Sequence, residues 1–401
     1  MNRKLILSSL FIFFCLWNIQ AEEYETMSPN GMLKIKLRID KGTTYEIWHG
    51  NEQLIASSPI GLNLSNGMII GGGTVKNVTR NVVDQTIEVI AGKNKTLREA
   101  YNELLISFTE DYDLLVRAYD EGIAYRFITR LGGEIIINSE DAVFNFTFTP
   151  TVYFPECDTN YSGEKDQEGK VHQIHQGYRN FERLYLIYNA PTEITNNRFS
   201  VSPVLFSHPD TSYKIVVTES DTYDYPGLYM EQNGPNSMRG KWAQYPKEVM
   251  DEDPSNPNYW YSNHLVISRE NYIAKTEGNR TFPWRVIIVS DDDKSLLNNE
   301  LVYMLAEPCR LTDTSWIQPG KSAWEWWHKA MLDGVDFPVG NKNLSLELYK
   351  YYVDWASENG VPYMTLDAGW SESYLAELCD YAAKKGVGIF VWTWASCPLE
   401  A

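Results

Sequence analysis

The sequence predicts a multidomain chain, β first and then α/β: a large antiparallel β-sandwich followed by the opening strands of a parallel (β/α)8 barrel. Two observations predict it. From residue 22 to about Pro308, short runs of alternating apolar and polar residues follow one another with turn signals between them and no helical pattern. After Pro308, strand-like runs alternate with helical ones, which is the rhythm of a parallel sheet. Those later runs are Ala323-Trp324-Glu325-Trp326-Trp327-His328, Thr365-Leu366-Asp367-Ala368-Gly369-Trp370 and Val387-Gly388-Ile389-Phe390-Val391-Trp392-Thr393-Trp394. Each ends in polar and aromatic side chains, as a strand does on reaching the carboxyl-end face of a barrel.

In chain order, residues 1–21 read as a signal peptide: Arg3-Lys4 is a basic start, 5–17 is an apolar run too short to span a bilayer, and Ala21 suits cleavage. This predicts an exported, periplasmic protein with no membrane insertion once the signal is removed. Cys15 follows the bulky Phe13-Phe14 and makes a poor lipid anchor site. The β region spans 22–308. In 32–37, Leu33, Ile35 and Leu37 face one way and lysines the other, after the Asn30-Gly31 turn signal; in 143–148, Phe144, Phe146 and Phe148 share a face. Further strands fit 104–108, 114–119, 123–128, 185–188, 213–217 and 286–289, with turns at Gly71-Gly72-Gly73, Asp120-Glu121-Gly122 and Asp291-Asp292-Asp293. From 309 to 401 the barrel opens. Strands are expected at 322–327, 363–367 and 387–392, with helices over 346–357 (stripe Tyr349, Tyr352, Val353, Ala356) and around Leu375, Leu378, Cys379 and Ala382. Gly360 and Gly386 stop the two helices.

The net charge of −18 argues against nucleic acid and against a basic membrane-binding face, and fits a neutral substrate or a divalent cation. Aromatics reach 13 %, with 26 Tyr and 13 Trp, which points first to a dense β core and second to sugar-stacking platforms. Cys157, Cys309, Cys379 and Cys397 stand at no metal-ligand spacing and read as mostly buried and inert.

Asp367, at a strand end before Gly369-Trp370, reads as a contact to substrate hydroxyls or a catalytic group, against the plainer reading of a helix N-cap. Trp324, Trp326, Trp327, Trp370, Trp392 and Trp394 surround three strand ends. Alternation sends half of them into the core and leaves the rest to stack on a sugar face, with the indole N–H bonding a hydroxyl. Trp326, Trp370 and Trp392 join Asp367 as the substrate-binding candidates. Glu182 and Glu219 read, by themselves, as surface glutamates, and His172 and His175 as solvated loop histidines.

Taken together, these residues resemble glycoside hydrolase family 97. The resemblance runs through Ser28-Pro29-Asn30-Gly31, residues 120–127, 224–229 and 283–291, then Trp324-Glu325-Trp326-Trp327 and residues 366–370. It implies an exported α-glycosidase with an N-terminal antiparallel β-super-sandwich, a (β/α)8 barrel and a C-terminal β domain, acting on an oligosaccharide or α-glycoside. It implies calcium, with one ligand in an aromatic-Glu-x-x-aromatic loop that Phe181-Glu182-Arg183-Leu184-Tyr185 matches, so Glu182 becomes the metal candidate. Inverting members carry a glutamate base at the third strand end. Here that place holds Thr393, between Trp392 and Trp394, so the chain resembles the retaining, α-galactosidase-like branch. Its nucleophile and acid/base are then expected beyond Ala401. A barrel needs eight strands and about 250 residues, so the chain is expected to be the front of a longer protein and inactive alone. A non-catalytic glycan-binding sandwich is the alternative, and another barrel hydrolase the third reading.

Overall fold

The computed structural model describes residues 21–157, 178, 185–195, 198–249 and 266–393. The signal segment, His172, His175, Glu182, Trp394 and Cys397 lie outside the described residues. No described helix is long and apolar enough to cross a membrane.

The antiparallel region is organised by one strand, Gly122–Phe146, 25 residues long. Its first half lies between Tyr112–Tyr119 on one side and Trp284–Ser290 and Ala274–Thr281 on the other. Its second half lies between Glu52–Leu64 and Ser237–Lys241. The exchange of partners occurs around Gly133, whose positive φ bends the strand, and beside a register shift between Glu277 and Asn279. Upstream, Glu22–Met27, Leu33–Ile39, Thr43–His49 and Glu52–Leu64 pair in succession. Alternation decides what they bury: Leu33, Ile35, Leu37 and Ile39 are enclosed, while Lys34 and Lys36 stay partly open. These inward faces meet Tyr45, Phe127, Phe144 and Phe206 in one large apolar core.

Inside this region lies an ionic cluster. Arg285 is 2 % exposed; its Nε and Nη2 donate to the two oxygens of Glu140 at 2.6 and 2.7 Å, and its Nη1 donates to Glu219 at 2.7 Å. Tyr225 donates to Glu140 at 2.9 Å, and the Leu228 N–H to Glu219 at 2.7 Å. Glu219 is therefore not the surface glutamate that its sequence context suggests; its strand, Lys214–Ser220, pairs with Trp284–Ser290 and sets it opposite Arg285. Burial, outweighing the attraction of Arg285, holds the Glu219 carboxyl above its ordinary range.

Two short helices, Asp293–Leu297 and Leu301–Leu305, interrupt a stretch read as wholly β. The triple aspartate read as a turn supplies the first one's cap: Asp292 accepts from the Lys294 N–H at 3.3 Å.

Beyond them, Ser322–Trp324, Tyr363–Leu366 and Gly388–Val391 form a parallel three-stranded sheet. Helices Leu346–Glu358 and Glu372–Lys384 carry the chain from each strand to the next. Both helices have serine caps, Ser345 and Ser371, and both end through a left-handed glycine, Gly360 and Gly386. The stripe of Tyr349, Tyr352, Val353 and Ala356 packs on Met364 and Leu366, as its spacing predicts. The first strand ends sooner than expected, because Glu325–His328 is a 3-10 turn.

The cysteines also differ from expectation. Cys157 is buried, but Cys309 and Cys379 are exposed free thiols; Cys379 falls on the solvent side of its helix, between the buried Leu378 and Ala382. Iodoacetamide under native conditions is expected to modify Cys309 and Cys379 and to reach Cys157 only after denaturation, as read by peptide mass.

Candidate active site at the strand ends

The carboxyl ends of the three parallel strands gather most of the predicted site residues. Leu366 pairs with Val391, which sets Asp367 level with Trp392 on the neighbouring strand, and the Trp392 N–H donates to the Leu366 carbonyl at 2.8 Å. Asp367 is half-buried. Its Oδ2 accepts from the Trp324 indole at 2.8 Å and its Oδ1 from the Ala368 N–H at 2.6 Å. Each oxygen keeps a further lone pair for an outside donor.

The tryptophans do not divide into core and surface as alternation predicts. Among the described ones at the strand ends none is fully buried: Trp324 and Trp370 are half-buried, and Trp326, Trp327 and Trp392 are exposed. For Trp326 and Trp327 the reason is the 3-10 turn, which has no period of two. Trp324 and Trp326 stack with centroids 5.4 Å apart and planes 20° apart, and Trp327 stands edge-on to both. Trp370 donates its indole N–H to the Trp392 carbonyl at 2.9 Å. The indole nitrogens of Trp324 and Trp370 are thus bonded within the protein, and what these two rings offer a ligand is their faces.

The residue that sequence reasoning passed over is Glu325. It stands in an apolar aromatic run, and the turn folds it inward until it is 2 % exposed. Its Oε1 accepts from the Tyr349 hydroxyl at 3.0 Å and from the Asp367 N–H at 2.9 Å. Its Oε2 is buried with no hydrogen-bond partner among the described residues. Burial raises the Glu325 carboxyl, more than its hydrogen bonds lower it. Burial and the Glu325 charge together push the Tyr349 hydroxyl well up. The signal in the sequence was the charge itself, a lone carboxylate between Trp324 and Trp326. Next to the turn, Lys329 and Ala330 both adopt left-handed backbone, rare outside glycine, and His328 shares a hydrogen bond with Tyr352 at 2.8 Å.

Among the described residues no three His, Cys, Asp or Glu side chains gather as a metal site would require.

The family profile described as Glycosyl-hydrolase 97 N-terminal matches residues 26–308, and the one described as Glycoside hydrolase 97 matches 326–401. The chain belongs to glycoside hydrolase family 97. It is 34 % identical over 398 residues to a protein named retaining alpha-galactosidase from Bacteroides thetaiotaomicron, covering 96 % of this chain and 57 % of that one. It is 26 % identical over 380 residues to a probable retaining alpha-galactosidase of Streptomyces bingchenggensis, covering 89 % of this chain and 50 % of the relative. The chain therefore spans about half the length of the curated relatives it matches. A family 97 enzyme from Pseudoalteromonas sp. strain K8, solved with acarbose, superposes with a TM-score of 0.65 at 18 % identity, over 91 % of this chain and 53 % of that one. The family fold is thereby carried across the β region and the parallel strands.

Proposed function

We propose that this protein is an exported α-glycoside hydrolase that acts on α-galactosides with retention of configuration. The observation that carries this reading is the carboxylate of Asp367 at a parallel strand end, bonded by the Trp324 indole N–H, with Trp326 stacked on Trp324 and Trp370 bonded to the Trp392 carbonyl of the neighbouring strand. A carboxylate with free lone pairs accepts hydrogen bonds from vicinal sugar hydroxyls, while indole faces pack on the apolar side of the ring. The resemblance to family 97, whose inverting members carry a glutamate base at the third strand end, implies retention here, because Trp392 and Thr393 stand at that place and neither is a carboxylate. The names of the two curated relatives point the same way.

In this reading 22–308 is the sandwich and 309–401 opens a (β/α)8 barrel, whose substrate-binding face consists of Trp326, Asp367, Trp370 and Trp392. On this reading the strand ends contribute binding groups, and the reacting pair, which a retaining enzyme holds about 5–5.5 Å apart, comes from elsewhere. Calcium would be held through Glu182, outside the described residues, together with ligands from elsewhere. No step is derived through it.

The test is the product anomer. The longest product of the gene, given nitrophenyl α-galactoside and followed by proton NMR, is expected to release α-galactose first. β-Galactose as the first product would refute retention, and the absence of cleavage would refute the hydrolase reading.

A further inference from the structure

We infer that Glu325 is a positioning residue for Asp367, acting through the backbone of the second strand end. The inference rests on the sugar-binding reading of that strand end and adds to it the group that holds it in place.

Three elements converge on one Glu325 oxygen. The carboxyl leaves the 3-10 turn after the first strand; Tyr349 reaches it from the crossover helix at 3.0 Å; the Asp367 N–H reaches it from the end of the second strand at 2.9 Å. Its chain neighbour Trp324 meanwhile donates to the Asp367 side chain at 2.8 Å. Two adjacent residues of the first strand end thus grip Asp367 at two points, Glu325 the main chain and Trp324 the carboxylate. Two anchors remove both the backbone hinge and the side-chain rotation that would otherwise be lost on binding a sugar.

The arrangement is costly. Among the described residues the charged and titratable groups facing Glu325 are Asp367, Tyr349, Tyr352 and Tyr374, none of them a cation, and one carboxyl oxygen is buried without a partner. Burying such a group is unfavourable, and a helix-packing role alone would be met by an apolar residue of the same size. What an apolar residue would not do is accept from the Asp367 N–H.

The experiment uses the 401-residue chain labelled with 15N-tryptophan, the Trp324 indole signal being identified by its loss in Trp324→Phe. In Glu325→Leu, whose volume is close to that of the native residue, the Trp324 indole N–H is expected to exchange with solvent about 10-fold faster, although Glu325 does not bond it. Glu325→Gln keeps a carbonyl acceptor and is expected to stay within about 2-fold of wild type. Glu325→Asp, which keeps the charge and shortens the arm, should free the indole as leucine does, and it decides the matter should the leucine variant not fold. The dissociation constant for methyl α-galactoside should rise about 10-fold in the leucine and aspartate variants and hold in the glutamine one.

Folded variants with an unchanged Trp324 indole would overturn the positioning role. Wild-type chain that binds no galactoside would instead sink the sugar-binding reading, and the indole comparison would still decide the role of Glu325.

Discussion

Arg285→Leu is expected to destabilise the β region by about 3–5 kcal/mol, and in a domain of this size to lower its Tm by roughly 10 °C or more. The guanidinium donates three hydrogen bonds to Glu140 and Glu219 in a site where it is 2 % exposed. Removing it strands two carboxylates that, among the described residues, have no other cation in bonding contact. One guanidinium already faces two carboxylates, and the Glu219 carboxyl is raised by burial. The sign of its pH effect follows. An acid whose folded value lies above its unfolded one of about 4.5 gives stability that is complete below that pH and is lost as pH rises through the folded value. Glu219→Gln should flatten that loss on the alkaline side. Urea unfolding followed by tryptophan fluorescence, repeated across pH, checks both variants.

Asp367→Ala is expected to weaken galactoside binding by about 100-fold, since hydrogen bonds to a charged acceptor contribute roughly 1.5–3 kcal/mol each. The fold should survive, because Asp367 is half-buried and its loss frees only the Trp324 indole and the Ala368 N–H. Trp370→Ala should cost less, about 10-fold, through lost ring contact together with the lost hydrogen bond to the Trp392 carbonyl. Calorimetric titration with methyl α-galactoside separates the two. An Asp367→Ala chain that binds as wild type does would remove this residue from the site.

What the sequence made legible was periodicity. Leu33, Ile35 and Leu37 alternate and are buried; Tyr349, Tyr352, Val353 and Ala356 recur at helical spacing and are buried. Periodicity is a local property, and alternation or a stripe survives into the fold because each element buries one face. Partner choice is not local. Residues 123–128 and 143–148 read as separate strands, yet they belong to Gly122–Phe146, which remains continuous because different strands support its two halves. Glu219 looked like solvent-facing charge because its partner, Arg285, lies 66 positions away. Glu325 was hidden for the opposite reason: its neighbours made the run look like strand, and only the turn at Glu325–His328 aims its carboxyl at Asp367. Asp367 itself was legible, because a carboxylate at the end of an apolar strand followed by Gly-Trp stands out.

In the proposed function the sugar meets the parallel strand ends and not the sandwich. A crystal of the 401-residue chain soaked with methyl α-galactoside tests it most directly. The expected result is a galactose ring with two hydroxyls on the Asp367 carboxylate and its apolar face against the tryptophans at the strand ends. A sugar seated only on the β region, with Asp367 free, would contradict it and would favour a glycan-binding sandwich instead.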